Sequence, residues 1–427
     1  MNVICFPSQL NGSVAAIPSK SDAHRKLICA ALSGQQCTIG MNGRFCDDIA
    51  ATIRCLEALG AFFRQHPQGL LIQPIHRQPH AELYCGESGS TLRFLLPVAM
   101  TVCSDISVNG SGRLPERPIG TLVSAMSAHG VHFSQDHLPL HATGSLTGGV
   151  YEIEGNISSQ FLSGLLMALA FLDSDSEIRL TTALQSSKYV DMTLDTLREF
   201  GADIQTVSDN GLLRYYIKST KNRVIPVVLP VDGDWSNAAF WLTAGAIQPT
   251  GAIQVLGLDQ LSVQGDKEIA RILKDSGARL GFADDNSRTL IVSCGTLNEI
   301  DVSMEEIPDL LPILAVRAAV GGGVSHFRNA ARLRLKESDR LTATAEMLRA
   351  LGAKVDELSD GLTVYGGQLC GGTVDAKNDH RLVMSAAIAA LRCSDPVTIL
   401  GAEAVNKSYP SFFDDYQALG GRIEIAG

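Results

Sequence analysis

Apolar residues along the chain fall into helix-like and strand-like spacing, and one arrangement of the two recurs. In each copy an apolar helix ends at a glycine, and alternating apolar residues beyond the glycine begin a strand. The copies read CLEALGAFF, AMSAHGVHF, TLREFGADI, ILKDSGARL, MLRALGAKV and YQALGGRIEI, around Gly60, Gly130, Gly201, Gly277, Gly352 and Gly420. Their near-constant spacing predicts six α/β units that fill the chain, with a left-handed backbone at each glycine.

Polar residues occupy a fixed phase relative to these glycines. Thirteen positions upstream lie Asp47, Arg117, Lys188, Gln264, Asp339 and Lys407. Because 13 residues span about three and a half helical turns, we expect them in the first turn of the helix that ends at the glycine. A second polar cluster precedes an apolar helical run in each unit, formed by Lys20 and Ser21, Ser90 and Arg93, Ser159 and Gln160, Ser236 and Asn237, Asp309, and Asp379 with His380 and Arg381.

These polar clusters suggest anion binding at helix starts. Helix N-termini carry unpaired N–H groups and a partial positive charge, which favours anions. Ordinary N-capping by Ser, Thr, Asp or Asn remains an alternative, most of all at Ser236 or Asn237. Four other positions instead place a positive side chain at this end of the dipole, which indicates an external anion. They are Arg117, Lys188, Arg381 and Lys407.

The length of 427 residues exceeds the size at which a single core usually stops growing, so two domains of three units each are expected. The stretch STKNRVIPVVLPVDGDW, with two prolines and a change of pattern, places the boundary near Val228. Ten scattered cysteines without a C-x-x-C pair are typical of reduced, buried thiols. We find no signal-peptide pattern and no apolar run of about 18 residues, so we expect a cytoplasmic protein.

The formal net charge of −10 argues against binding to nucleic acid or to an anionic membrane, because both need a broad basic surface. An anionic ligand must therefore meet a local basic pocket. The sequence has no G-x-x-x-x-G-K-[ST], no H-E-x-x-H, no paired Cys/His spacing and no G-x-S-x-G turn. We expect neither a metal nor an organic cofactor, and phosphate binding by dispersed Lys and Arg.

Candidate side chains gather in a few motifs at predicted helix starts. Ser21 and Arg25 in SKSDAHR share one helix face, and Arg117 in ERPIG is held extended by Pro118. The segment RLRLKESDRL contains the densest cluster of charges, although an exposed, salt-bridged helix face is an alternative there. Asp309 in EEIPDLLP is an acid at a helix start with few polar neighbours, and is either a cap or a proton carrier.

Nine motifs in this order resemble the 5-enolpyruvylshikimate-3-phosphate synthase family: SKSDAHR, ESGSTLR, ERPIG, SSQFLSGLLM, GDWSNAAF, IPDLLP, LRLKESDR, NDHRLVM and NKSYPSFF. The resemblance runs from about residue 7 to 422. It implies an α/β (α+β) fold of two domains, each with three βαβαββ repeats, giving an inverse α/β barrel-like build with a sixfold internal repeat. Residues 19–228 would mainly bind shikimate 3-phosphate, and residues 1–18 with 229–427 would mainly bind phosphoenolpyruvate.

The resemblance also implies a reaction and its site residues. The enolpyruvyl group of phosphoenolpyruvate would pass to the 5-hydroxyl of shikimate 3-phosphate through a tetrahedral intermediate that expels phosphate, in the shikimate pathway to chorismate and aromatic amino acids. The partners would be these small molecules alone, bound by a monomer. By likeness of motif, shikimate 3-phosphate would contact Lys20, Ser21, Arg25, Ser158, Ser159, Gln160, Ser186, Asp309 and Lys336. Phosphoenolpyruvate would contact Lys20, Gly89, Arg117, Gln160, Arg340, Arg381 and Lys407.

This chemistry needs a base near the 5-hydroxyl and an acid near C3 of phosphoenolpyruvate. Asp309 and Glu337 are the acids in the motifs with no obvious structural partner, and Lys20 can stabilise or protonate the leaving phosphate. We expect Glu337 to act at C3, and Asp309 and Lys20 to act at the hydroxyl.

The chain departs from the family pattern at a few positions. Arg332 stands where one branch has Asn, Glu87 where Asn is frequent, and Lys188 where Pro often precedes Tyr189. Gly89 matches the glycine beside the phosphoenolpyruvate pocket, where a side chain should crowd the inhibitor glyphosate.

Two alternatives have different signatures. UDP-N-acetylglucosamine enolpyruvyl transferase shares the sixfold build, but it would show Lys-Asn in place of Lys20 and Ser21 and a loop Cys near residue 115, where this chain has Pro115. A non-catalytic anion-binding domain would bind both substrates without releasing phosphate.

Overall fold

The computed structural model describes residues 1–220, 223–284 and 288–426, which form twenty-four strands and twelve α-helices. The strands are β1 Asn2–Phe6, β2 Gly12–Ala15, β3 Cys37–Gly40, β4 Phe62–His66, β5 Gly69–Gln73, β6 Ala81–Tyr84, β7 Asp105–Asn109, β8 Val131–Phe133, β9 Leu140–Gly144, β10 Val150–Ile153, β11 Ser176–Leu180, β12 Asp203–Asp209, β13 Leu212–Lys218, β14 Val228–Pro230, β15 Ala252–Leu256, β16 Arg279–Phe282, β17 Thr289–Ser293, β18 Asp301–Ser303, β19 Val324–Arg328, β20 Lys354–Leu358, β21 Gly361–Tyr365, β22 Gly372–Asp375, β23 Val397–Leu400 and β24 Arg422–Ala426. The helices are α1 Lys20–Leu32, α2 Asp47–Ala58, α3 Gly89–Val102, α4 Gly120–Ser127, α5 Ser159–Ala170, α6 Ser187–Glu199, α7 Trp235–Ile247, α8 Glu268–Asp275, α9 Leu311–Ala319, α10 Arg340–Ala350, α11 His380–Ala389 and α12 Phe412–Ala418.

The strands of the described residues form six four-stranded sheets of one design. Their orders are β14-β3-β5-β4, β6-β7-β9-β8, β10-β11-β13-β12, β2-β15-β17-β16, β18-β19-β21-β20 and β22-β23-β1-β24. In every sheet the first two strands are parallel and the other pairings are antiparallel. Because parallel neighbours need a crossover, a helix joins that pair in four sheets, namely α3, α5, α9 or α11. The sixfold repeat of the predicted α/β fold is therefore present.

Two sheets exchange their first strands. The strand β2 precedes α1 in the sequence but pairs with β15, and β14 precedes α7 but pairs with β3. The remaining irregularity lies in the sixth sheet, where β1 from the start of the chain takes the place next to β24. The exchanged strands make the chain pass twice from one half of the fold to the other.

The chain folds into two compact units. The continuous unit comprises Lys20–Val231, and the split unit comprises Met1–Ser19 with Asp232–Gly427. Each unit has its own cluster of buried apolar side chains. The division falls slightly beyond the predicted limits at residues 19 and 228, because Ser19 N donates to the carbonyl of Asp232 at 2.7 Å and β14 pairs with β3.

Gln264 holds the two segments of the split unit at which the chain leaves it, near Ser19, and returns to it, near Asp232. Its Nε2 donates to Asp232 Oδ2 at 2.9 Å and to the carbonyl of Gly233 at 2.8 Å. Its Oε1 accepts from Ser19 Oγ at 3.1 Å and from Trp235 N at 3.2 Å. A buried amide whose donors and acceptor are bonded in this way fixes the path of both segments.

The repeated glycines have the predicted backbone conformation. All six lie just beyond the ends of α2, α4, α6, α8, α10 and α12, with φ between +73° and +103°. The upstream polar clusters also lie at helix starts, since Lys20, Ser90, Ser159, Ser236 and His380 occupy first turns and Asp309 lies in a 3-10 turn that leads into α9.

The polar residues 13 positions before the repeated glycines were predicted to lie in first helical turns, which is correct at some helices and wrong at others. Asp47 and Lys188 lie in first turns, and Asp339 is the N-cap of α10. Arg117, Gln264 and Lys407 instead lie before their helices. A 3-10 turn separates Gln264 from α8, whereas Arg117 and Lys407 stand at the ends of 3-10 turns that stop before α4 and α12 begin. Among the described residues, no helix has both the length and the apolar character needed to cross a membrane.

We predict that Gly277→Ala destabilises the split unit. A Cβ at Gly277 would lie 2.0 Å from the carbonyl oxygen of Thr296, and the φ of +102° is strained for any L side chain. We expect the free energy of unfolding, measured by urea denaturation, to fall by about 2–4 kcal/mol. The control is Gly281→Ala, because a Cβ there meets nothing within 4 Å, and it should change the value by at most about 1 kcal/mol. Equal effects of the two substitutions would contradict the role of the repeated glycines.

Candidate active site

Lys20 begins α1 and is held by an acid from the next helix of the continuous unit. Its Nζ lies 2.7 Å from Oδ2 of Asp48, and the Lys20 side chain is 18% exposed. Asp48 follows Asp47 in the first turn of α2, so the carboxylate lies at a helix N-terminus. The ion pair fixes the position of the ammonium group, and the Lys20 side chain stays partly exposed. Sequence reasoning missed Asp48, because the pair joins residues of two different helices.

Arg25 lies within the continuous unit and is surrounded mainly by neutral partners. Its Nε donates to Thr193 Oγ1 at 2.7 Å, and its Nη2 donates to the carbonyl of Tyr189 at 2.8 Å. Its guanidinium carbon lies 5.0 Å from the ring centroid of Phe94, and Nη1 donates to the carbonyl of Ser21 at 2.6 Å. Burial lowers the pKa of Arg25 to about 10, which leaves it charged at neutral pH. Arg25 therefore places a positive charge close to the start of α1.

Gln160 links the starts of α3 and α5. Its Oε1 accepts from Arg93 Nη1 at 2.8 Å, and its Nε2 donates to Ser90 Oγ at 2.9 Å. Its backbone N–H donates to Oγ of Ser158, which is the N-cap of α5, and Ser159 beside it is buried. Capping and anion binding are thus compatible at this helix, because the cap uses only one of the exposed N–H groups.

Arg117 packs directly over Gly89, the first residue of α3. A Cβ at position 89 would lie 2.6 Å from Arg117 Nη1 and 2.9 Å from the guanidinium carbon. Arg117 is buried and has the extended backbone predicted for a residue before proline. The hydrogen of glycine is therefore what allows the guanidinium group to approach the start of α3.

Ser186 and Lys188 begin α6 and differ in character. Ser186 is buried, and its backbone is left-handed, with φ 55° and ψ 48°, which is uncommon for a residue other than glycine. Lys188 is 53% exposed and pairs with Asp191 at 3.2 Å. The structure thus favours a surface ion pair over the predicted anion site at Lys188.

Arg340, the first residue of α10, is the centre of the candidate site in the split unit. Its side chain is 1% exposed. Nε lies 2.8 Å from Asp379 Oδ2, Nη1 lies 2.7 Å from Asp309 Oδ1, and Nη2 lies 2.6 Å from Glu337 Oε2. Burial alone would lower the pKa of Arg340, but Asp379, Glu337 and Asp309 outweigh burial and raise it. The guanidinium group is therefore permanently charged.

Asp309 is surrounded by basic groups. Its Oδ1 accepts from Lys336 Nζ at 3.3 Å as well as from Arg340, and its Oδ2 accepts from Arg381 Nη2 at 3.1 Å. The interpretation of Asp309 as an acid with few polar neighbours was wrong. The description of Asp309 and Glu337 as acids without a structural partner was also wrong. Local sequence could not reveal these partners, because those of Asp309 lie 27 to 72 residues away.

Asp379 orders the start of α11. Its Oδ1 accepts from the backbone N–H of Arg381 at 3.0 Å, and its Oδ2 accepts from Ser338 Oγ at 3.0 Å. Lys407 ends a 3-10 turn, is buried, and donates from Nζ to the carbonyl of Asn378 at 2.6 Å. Arg381 and Lys407 are thus both fixed close to the start of α11, where N–H groups favour an anion.

The remaining charges of RLRLKESDRL have structural roles. Arg334 pairs with Asp339 at 3.0 Å and with Glu357 at 2.9 Å, so the salt-bridged alternative is correct for this residue. Arg332, one of the departures from the family pattern, donates from Nη2 to the carbonyl of Glu305 at 3.1 Å. Of this segment, Lys336, Glu337 and Arg340 belong to the cluster around Asp309.

The basic side chains of the continuous unit and those around Asp309 in the split unit form two clusters, which suit anionic ligands that carry more than one charged group. Each contains Lys and Arg side chains at helix starts, held in place by carboxylates and carbonyls. In the described ranges, no group of three or more His, Cys, Asp or Glu side chains is arranged to hold a metal ion.

Comparison with known proteins gives a consistent result over nearly the whole chain. The family model described as EPSP synthase (3-phosphoshikimate 1-carboxyvinyltransferase) matches residues 5–416. A protein of Clostridium perfringens named 3-phosphoshikimate 1-carboxyvinyltransferase is 41% identical over 428 residues, which cover 99% of each chain. A protein of Clostridium kluyveri with the same name is 39% identical over 425 residues, covering 98% of this chain and 97% of the relative.

Solved structures share the fold at lower identity. An EPSP synthase from Acinetobacter baumannii superposes with a TM-score of 0.80 at 23% identity, and the match covers 100% of both chains. An enolpyruvyl transferase from Streptomyces tendae superposes with a TM-score of 0.78 at 16% identity, covering 99% of this chain and 98% of that one.

We predict that Arg340→Met strongly destabilises the split unit. The substitution leaves Asp379, which is fully buried, and its neighbouring carboxylates without their shared cation. We expect urea denaturation to show a loss of about 3–5 kcal/mol. Arg271→Met is the matched control, since Arg271 is exposed and pairs with Asp275 at the surface, and it should cost less than about 1 kcal/mol. A loss for Arg340→Met as small as that of the control would refute the central position of Arg340.

Proposed function

We infer from the membership of this chain in the EPSP synthase family, the 3-phosphoshikimate 1-carboxyvinyltransferases, that it transfers the enolpyruvyl group of phosphoenolpyruvate to the 5-hydroxyl of shikimate 3-phosphate. The chain is an enolpyruvyl transferase of the shikimate pathway. The alternative of a UDP-N-acetylglucosamine enolpyruvyl transferase is excluded by the family match and by the names of relatives that cover almost the full length. The observation that carries this conclusion is the match over residues 5–416.

Shikimate 3-phosphate is assigned to hydroxyl and basic groups at helix starts. A phosphate has three acceptor oxygens, which suit a helix start lined by serine hydroxyls and a buried cation. The starts of α1 and α5 offer this combination through Ser21, Arg25 and Ser159. The full proposed set is Lys20, Ser21, Arg25, Ser158, Ser159, Gln160, Ser186, Asp309 and Lys336.

Phosphoenolpyruvate is assigned mainly to buried cations. Its carboxylate and phosphate suit guanidinium groups, which donate two parallel hydrogen bonds to planar or tetrahedral anions. Support comes from Arg117 above Gly89, and from Arg381 and Lys407 close to the start of α11. The full proposed set is Lys20, Gly89, Arg117, Gln160, Arg340, Arg381 and Lys407.

The proton transfers are assigned to Lys20, Asp309 and Glu337. The hydroxyl adds to C2 of phosphoenolpyruvate while C3 gains a proton, and the tetrahedral intermediate then expels phosphate. Glu337 supplies the proton to C3, Asp309 and Lys20 act at the 5-hydroxyl, and Lys20 also stabilises the leaving phosphate. In support, Asp309 lies 3.3 Å from Lys336 Nζ, an amine assigned to shikimate 3-phosphate, and Glu337 lies beside Arg340, assigned to phosphoenolpyruvate.

We further propose that the enzyme works as a monomer in the cytoplasm. Its ten cysteines are free thiols, and eight of them are buried, which suits a reducing compartment.

A phosphate-release assay tests the function. We expect phosphate release only when both phosphoenolpyruvate and shikimate 3-phosphate are present, and we expect the same rate after addition of a metal chelator. Calorimetric binding of both substrates without phosphate release would instead support a non-catalytic anion-binding domain.

We predict that Glu337→Gln blocks the exchange of solvent deuterium into C3 of phosphoenolpyruvate. The amide keeps the shape of the side chain and can accept from Arg340, but it has no acidic proton to deliver. Exchange is followed by proton NMR, and binding of shikimate 3-phosphate is measured by calorimetry and should not change.

The matched control is Glu346→Gln on α10, which begins three residues after Glu337. Glu346 is exposed and lies 3.9 Å from Lys377, away from the cluster around Arg340. This variant should exchange deuterium at the wild-type rate. Normal exchange in Glu337→Gln would show that another group protonates C3.

A further inference from the structure

Asp266 is a buried acid in the split unit that none of the assignments above uses. It lies in the 3-10 turn Gly265–Lys267 before α8 and is 2% exposed. Its Oδ2 accepts a hydrogen bond from Ser236 Oγ in the first turn of α7. Its Oδ1 is buried and has no hydrogen-bond partner among the described residues. An ionised carboxylate with one oxygen left unbonded is costly in such a place, and a proton on that oxygen removes the cost.

Charged groups from three other segments face Asp266. Asp234, the N-cap of α7, and Asp309, in the turn before α9, oppose its ionisation, whereas Arg381 of α11 favours it. On its own turn, Lys267 donates from Nζ to the carbonyl of Gln260. On α8, Arg271 pairs with Glu268. Arg381 is therefore the cation that opposes the two neighbouring acids.

We propose that Asp266 is a positioning residue that takes up a proton when an anionic group of phosphoenolpyruvate binds Arg381. The proposal rests on the assignment of Arg381 to phosphoenolpyruvate made above. It gives the enzyme a third acid that gains or loses a proton during the reaction cycle, with a role separate from those of Asp309 and Glu337.

The direction of the proton transfer follows from the charges. In the free protein, burial raises the pKa of Asp266 to about 6, and the like charge of Asp309 adds to this effect, while Arg381 opposes it. A bound anion neutralises the field of Arg381, which removes the main influence that favours the carboxylate, so the pKa of Asp266 rises further. The ligand-bound protein then holds a proton that the free protein lacks above pH 6. Once neutral, Asp266 no longer competes with the ligand for Arg381.

This coupling between proton uptake by Asp266 and ligand binding predicts how binding depends on pH. Since the bound state holds more protons, binding of phosphoenolpyruvate to the wild type weakens as pH rises through the range between the two pKa values of Asp266. The loss of affinity is roughly tenfold for each pH unit by which binding raises that pKa. An uncharged residue at position 266 lacks this loss.

The test compares Asp266→Asn with wild type by kcat/KM for phosphoenolpyruvate between pH 5 and pH 8.5, with shikimate 3-phosphate saturating. The ratio of variant to wild type cancels the titration of the substrate itself. We expect this ratio to rise with pH, by roughly tenfold per unit of pKa shift, as the wild type loses its proton. A purely structural role would lower the ratio equally at every pH, and a ratio independent of pH would overturn the proposal.

A second variant and a control complete the test. Ser236→Ala keeps the carboxyl but removes the hydrogen bond that favours its ionised form, so the pH at which wild-type kcat/KM declines should move upward. If Asp266→Asn does not fold, an unmoved decline in Ser236→Ala contradicts the proposal. Asp275→Asn changes an acid of α8 that is 57% exposed, and its ratio to wild type should be flat. Failure of the wild type to release phosphate would refute the proposed function instead.

Discussion

The contact of Arg340 with three carboxylates determines the geometry of the site in the split unit. A buried guanidinium group is stable only when its charge and all its N–H groups are matched, and here Asp309, Glu337 and Asp379 provide the match. These acids come from separate segments, so one cation fixes the start of α10 against those of α9 and α11. The position of Arg381 follows from it, because Asp379 and Asp309 also bind Arg381.

The repeated architecture explains how an acidic chain can bind acidic substrates. Each unit of the repeat supplies helix starts, and the chain places Lys or Arg at several of them although the net charge is −10. Carboxylates balance the charge of these cations, since Asp48 binds Lys20 and Asp309 binds Lys336. An anionic ligand therefore enters an environment in which acids have already oriented the cations. One of these acids, Asp309, is also a proposed proton carrier.

The part of the fold that depends on local pattern could be predicted from the sequence. The glycines after six helices marked the repeat, and the polar clusters marked helix starts, because both follow from backbone rules within a few residues. The pairing of Arg340 with Asp379 could not be predicted, since it joins residues 39 positions apart through tertiary packing. The same holds for Asp266, whose sequence neighbours reveal neither its burial nor Ser236. The short 3-10 turns that end at Arg117 and Lys407, before α4 and α12 begin, had no pattern of their own.

A crystal structure with shikimate 3-phosphate and an unreactive analogue of phosphoenolpyruvate tests the role of the Arg340 cluster most directly. We predict that oxygen atoms of the analogue lie within hydrogen-bonding distance of Arg340, Arg381 and Lys407, while Arg340 Nε remains bound to Asp379. Binding of the analogue elsewhere, with these three cations keeping only their protein partners, would contradict that role.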